Sequence, residues 1–120
     1  MNNRFVISLT CAKENPDRAT VAFVVATAAV ASEQETVVFL SIEGVRLCQA
    51  GYADSIHEEG FAPLKELMTN FAAAGGKIYV CSPCFKKRKL DDKTLIDGSV
   101  IVGGAKLVEF MASGVPSLSY

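Results

Sequence analysis

Tryptophan is absent from this 120-residue sequence, histidine occurs once, and proline and cysteine occur four times each. Four cysteines are too few to form a disulfide scaffold in a chain that is 50% hydrophobic. A structural zinc site needs four ligands, and the sequence has neither a second CxxC nor a histidine pair. Only an unforeseen convergence of Cys11, Cys48 and His57 on the remaining cysteines would build one, so no metal and no cofactor is expected. The charge balance has no excess of either sign: 12 basic against 13 acidic residues, net -1. That argues against a dedicated nucleic-acid binder, which needs surplus positive charge to neutralise phosphates. Glycine (9) and proline (4) are too sparse, and apolar residues too abundant, for a collagen-like or disordered chain. Long hydrophobic runs are missing too. The longest, residues 19–31, is alanine-rich and carries two threonines, so it reads as a buried helix too short to span a bilayer. Met1-Asn2-Asn3-Arg4 leads into a short alternating run that does not resemble a signal peptide. The expectation is a cytoplasmic protein with one domain over residues 1–120, no membrane span and no nucleic-acid partner.

What the chain does contain is a rhythm of short apolar strands and helices. Residues 4–10 read as a strand apolar enough to lie inside a sheet. Asn15, Pro16 and Asp17 then supply a cap, a first helical residue and a charge suited to the positive end of a helix dipole. The helix they open, 16–32, is apolar nearly all round and should be buried on more than one side. A second strand follows at 36–42. Residues 43–62 form a connection of a length often reserved for a lid or pocket wall. Pro63 opens a helix to residue 74 whose Leu64, Leu67, Met68 and Phe71 recur at helical spacing, and Gly75-Gly76 ends it. Strand three is 77–81, a short helix runs to 89, and 94–97 reads as a helical turn. Strand four is 99–102, a helix covers 105–113, and 116–120 is a last strand whose proline suits an edge. Alternation of this kind points to βαβ units, hence an α/β fold with a parallel, doubly wound sheet.

The sharpest chemical signal is Cys81-Ser82-Pro83-Cys84, where strand three meets a helix. Ligands of parallel sheets gather at the carboxyl ends of strands. Helix-start amides and the run Lys86, Lys87, Arg88, Lys89 are expected to favour a thiolate at Cys81, the form that acts as nucleophile. The bland alternative is two small buried thiols beside a solvated charged helix. Glu43, at the end of strand two beside Gly44 and near Arg46, is a candidate to orient a group near Cys81. Cys11 ends strand one and could lie at the same sheet edge, and Ser82 sits beside the cysteine. Gly103-Gly104 before a helix could admit an anion but makes no dinucleotide fingerprint, so close backbone packing is favoured there. His57 reads as a surface residue rather than a base, Cys48 as an incidental loop thiol, and the basic run as poor evidence for nucleic acid, since no aromatics interleave it.

These segments in order resemble the DsrE/DsrF-like family of small sulfur-relay proteins, which includes the TusD-type sulfur carriers. The likeness runs through the alanine-rich helix, the segment ending in Glu43-Gly44, Gly51-Tyr52-Ala53-Asp54, Pro63-Leu64-Lys65-Glu66-Leu67, Gly75-Gly76-Lys77-Ile78-Tyr79-Val80-Cys81 and Ile101-Val102-Gly103-Gly104-Ala105. It implies a three-layer α/β/α sandwich around a five-stranded parallel sheet. It also implies that Cys81 accepts sulfane sulfur as a persulfide and hands it on between donor and acceptor proteins. Homo-oligomers, trimers or hexamers, are implied as well. The sequence departs from the carriers at Cys84, where they commonly have a small apolar residue. Cys84 is open to resolving the persulfide as an internal disulfide with release of sulfide, or to assisting transfer. Two further readings stand beside sulfur transfer: a CxxC dithiol-disulfide oxidoreductase, in which the first thiol attacks and the second resolves, and a non-catalytic oligomeric protein that binds a ligand.

Overall fold

A computed structural model of the chain describes residues 3–120. Five strands carry the fold: β1 (Arg4–Leu9), β2 (Glu35–Leu40), β3 (Lys77–Cys81), β4 (Ser99–Val102) and β5 (Ser117–Ser119). They form one all-parallel sheet in the order β4-β3-β2-β1-β5. The helices are α1 (Pro16–Ala31), α2 (Leu64–Ala73), α3 (Ser82–Lys87) and α4 (Gly104–Met111). Asn15 caps α1 as its sequence requires, its side chain accepting from the Arg18 amide at 3.1 Å.

Strand order decides which side each helix takes. The chain steps β1 to β4 in one direction, then reverses through α4 to reach the far side of β1. Right-handed crossovers place helices on opposite faces when the direction of winding reverses. Alternation along the strands supplies an apolar surface for each layer. Ile7, Leu9, Val38, Leu40, Ile78 and Val80 face α1 and α2. Val6, Val37, Tyr79 and Val102 pack with Phe110 of α4 and with Val115. Phe23 and Phe71 join α1 to α2 edge to face, ring centroids 5.8 Å apart, and Tyr79 meets Phe110 in the same way at 6.2 Å. The result is the expected three-layer α/β/α sandwich. Pro116 precedes the edge strand β5, and its carbonyl accepts from the Val6 amide at 3.1 Å.

Three segments differ from expectation. The second strand stops at Leu40, not at residue 42: Ile42 has φ 56°, a left-handed conformation no strand contains. It begins a 3-10 helix, Ile42–Cys48, and a second, Tyr52–Ser55, follows in the long connection. Residues 94–97 are not helical. Leu95 forms an antiparallel bridge with Gln49, while the Ala50 and Ile96 amides donate to the carbonyls of Thr94 and Cys48 at 2.8 Å each. Lastly, α1 buries one stripe, Ala19, Ala22, Phe23, Ala26 and Ala29, while Val21 and Val24 are only half covered and Ala28 and Ala31 are exposed. Its second apolar side is left partly open among the described residues.

Candidate functional site

The sheet delivers Cys81 to its carboxyl end. Cys81 is the last residue of β3, pairs with Val102 of β4, and serves as the N-cap of α3, with Pro83 in the first turn. A proline there ends the ladder and starts the helix, because its missing N–H is not needed at a helix start. Cys84 falls one helical turn on, so its amide and its thiol both act on the Cys81 thiol. Both thiols are half-buried and free.

Burial is the largest influence on the Cys81 thiol and pushes it above its ordinary value of 9.0. The Cys84 amide opposes that rise, the Cys84 thiol adds to it, and the Arg88 charge again opposes it. The expected activation is therefore corrected. α3 has only six residues and a correspondingly small dipole. Of the basic run, only Arg88 turns inward, while Lys86, Lys87 and Lys89 are exposed.

Arg88 organises the surroundings of Cys84. Its side chain is 12% exposed; Nε donates to Glu43 Oε1 at 2.8 Å and Nη1 to the Cys84 carbonyl at 3.2 Å. Glu43 Oε2 accepts from Arg46 Nε at 2.7 Å. Hydrogen bonds from Arg88 and then Arg46 hold the Glu43 carboxyl below its usual range. Directly before it, the Ile42 amide donates to Cys84 Sγ at 3.2 Å. The turn after β2 is thus fastened to Cys84 at two points. Glu43 lies at the candidate site, as its strand-end position suggests, but it is bound to two arginines rather than directed at Cys81.

The other candidates separate. Cys11 is buried beyond the end of β1, and β2 stands between β1 and β3, a separation of about 10 Å of sheet. Its thiol donates to the Asn15 carbonyl at 3.9 Å, and burial followed by Glu14 raises it. Cys48 is fully buried, and burial pushes its thiol up to about 11. Gly44 is a packing residue: a Cβ there would collide with the Leu9 carbonyl oxygen. Gly103 and Gly104 follow the strand partner of Cys81, but a Cβ on either meets open space, so the close backbone packing expected there is absent. Ser82 is half-buried at the start of α3. His57 bonds through Nε2 to the Phe61 carbonyl at 2.8 Å on an exposed turn. Among the described residues, no three of His, Cys, Asp or Glu lie together in a way that could hold a metal ion.

A separate cavity of about 500 Å³ lies between α2, the long connection and residues 95–98. Leu47, Met68, Ala72, Leu95 and Ile96 line it, with Gln49 and Asp97 also in its wall and the Asp54–Lys65 ion pair (3.5 Å) at its edge. The connection therefore does act as a pocket wall, yet none of the four cysteines lines that pocket. Two features escaped the sequence. Arg88 is indistinguishable from its basic neighbours in a string of letters, and Ile42 reads as one more apolar strand residue.

Comparison with known proteins agrees with this architecture. The profile of the DsrE/DsrF-like family matches residues 3–118. The fold superposes on the crystal structure of the YchN protein from E. coli with a TM-score of 0.83 at 20% identity, covering 100% of both chains. It also matches a protein of unknown function, MTH1491, from Methanobacterium thermoautotrophicum, with a TM-score of 0.69 at 14% identity over 99% of this chain and 100% of that one. An uncharacterized protein from Methanocaldococcus jannaschii, MJ0760, is 27% identical over 108 residues, 90% of this chain. The match spans 39% of that relative's own length.

Proposed function

Because the chain belongs to the DsrE/DsrF-like family, we propose that it accepts sulfane sulfur on Cys81 as a persulfide and passes it to an acceptor thiol in intracellular sulfur metabolism. The observation that carries this reading is the placement of Cys81 at the carboxyl end of β3, half-buried, with the free thiol of Cys84 one helical turn away. A persulfide needs a thiol that a donor can reach, yet one shielded enough to keep the outer sulfur from random thiols. A half-buried thiol at a strand end meets both demands. Burial raises the Cys81 thiol, so loading should accelerate as pH rises toward and beyond 9.0 rather than saturate near neutrality. The protein is placed in the cytoplasm, where its free thiols stay reduced; among the described residues no helix is long and apolar enough to cross a membrane. It acts as a single domain and as a homo-oligomer, supported by apolar surface left open on α1 and α4.

Incubation with inorganic polysulfide followed by intact-mass measurement tests the assignment. At early times the protein should gain the mass of one sulfur atom, and Cys81→Ser should not. A chain that gains sulfur equally well without Cys81 would sink the reading.

The cavity favours a second reading, ligand binding without chemistry. Its volume suits a small organic molecule, and its walls are independent of the cysteines. A protein that keeps its cellular effect with both Cys81 and Cys84 replaced by serine would favour this reading over sulfur transfer.

A further inference from the structure

We infer that Cys84 is a resolving thiol, so that this protein reduces the sulfane sulfur it accepts and releases it as hydrosulfide when no acceptor takes it. The inference rests on Cys81 as the acceptor. Two features of the structure single out Cys84.

First, its sulfur is held in place. The Ile42 amide donates to Cys84 Sγ at 3.2 Å, and to aim that amide the chain puts a β-branched residue at φ 56°. Such a conformation is strained for a β-branched residue and persists only where the surroundings enforce it. The enforcing groups are visible: Arg88 grips the Cys84 carbonyl and Glu43 together, tying the residue after Ile42 to the residue it serves. A donor to sulfur becomes a charge-assisted one, roughly twice as strong, once that sulfur loses its proton. Second, the held sulfur adjoins the acceptor. Cys81 is the N-cap of α3 and Cys84 lies one helical turn on, near enough for its amide and thiol to act on the Cys81 thiol. A thiol that merely filled core space would need neither an aimed amide nor this contact.

The step balances without an outside oxidant. Cys84 loses its proton to water, and its sulfur attacks the inner sulfur of the Cys81 persulfide. The Cys84–Cys81 S–S bond forms as the bond from Cys81 Sγ to the outer sulfur breaks. The outer sulfur leaves with the electron pair as hydrosulfide. It is reduced from the sulfane to the sulfide level, and the two cysteine thiols are oxidised together to one disulfide. Hydrosulfide is the anion of a stronger acid than an alkyl thiol, so it is the sulfur expelled. Return to the dithiol requires a dithiol reductant, which reopens the bond by thiol–disulfide exchange. A partner of that chemical class is therefore part of the cycle.

The test loads the reduced full-length chain with inorganic polysulfide, removes the excess, and follows intact mass and free sulfide without reductant. The parent protein should show the added sulfur only transiently, then a mass lower by two hydrogens than the dithiol, with one sulfide released per disulfide. Cys84→Ser should keep the added sulfur on Cys81 at least about ten-fold longer. Arg88→Lys, which retains the charge but loses the forked grip, should slow closure relative to loading, and a dithiol should restore the starting mass in the parent. A persulfide as lasting in the parent as in Cys84→Ser overturns this inference and leaves the acceptor reading intact. Disulfide formed without matching sulfide also overturns it, since the thiols would then have been oxidised directly. No added sulfur on any cysteine, in Cys84→Ser as in the parent, overturns both readings.

Discussion

At position 44 the backbone passes so close to the end of β1 that any side chain would strike the Leu9 carbonyl, while at position 104 a side chain would extend into open space. The sequence presents both as glycines beside a strand end, and only the close approach separates them. Gly44→Ala should therefore destabilise the protein by about 1–3 kcal/mol as the turn shifts to make room. Gly104→Ala, in the first turn of α4, should be neutral or stabilise by up to about 1 kcal/mol. Urea midpoints of the two variants check this, and equal midpoints would contradict it. The same limit explains what could be read of the candidate site. Cys81 and Glu43 were legible because strand ends can be located from apolar runs. Ile42 was not, because nothing in an apolar run says which residue leaves the strand and turns left-handed. Arg88 was seen only as one charge of four, because the inward turn of one side chain depends on a carboxylate 45 positions away in sequence.

Among the elements, the decisive joint is the one between the Ile42–Cys48 3-10 helix and α3, made by Glu43 between Arg46 and Arg88. The sign of its pH dependence follows from the lowered carboxyl. A carboxylate held below its ordinary value of 4.5 contributes stability that is complete above that value and lost as pH falls through the lowered one. Glu43 is more than a third exposed, so water screens much of the effect. Acid titration of the parent against Glu43→Gln should show the variant less stable above 4.5 and the two curves converging below it; parallel curves across that range would contradict the assignment. The strands, α1 and α2 were legible in the sequence because each pairs a period of 2 or 3.6 with a clear start signal. The bridge between Leu95 and Gln49 was not, since its pairing is non-local and its residues carry no strand period. The apolar stripe of α2 was read as core, and Phe71 now shows what it holds: its ring against Phe23 joins α2 to α1. Phe71→Ala should cost about 3–5 kcal/mol in thermal or urea unfolding.

For the whole molecule, the two faces of the sheet are unequally covered. Among the described residues, α1 and α2 together shield one side, whereas the other is covered by the eight residues of α4 and by Val115 after it. Val108 on α4 is 66% exposed, and Val100, which by strand alternation shares the α4 side with Val102, is 45% exposed. Ala105 adds a small exposed residue to the same helix, and Ala112 another just past its end. An apolar surface on the thin side of a sandwich is what a second copy would bury in the proposed homo-oligomer. Val108 is exposed and about half a helical turn round α4 from Phe110, so a charge there leaves the fold untouched. At an interface the same charge would be desolvated without a partner, costing about 2 kcal/mol or more per contact, or roughly 30-fold in affinity. Val108→Asp should accordingly lower the mass measured by light scattering at micromolar concentration while leaving the far-ultraviolet circular dichroism spectrum unchanged. If the parent is already a monomer, or the variant keeps the parent's mass, the α4 side is not where this chain assembles.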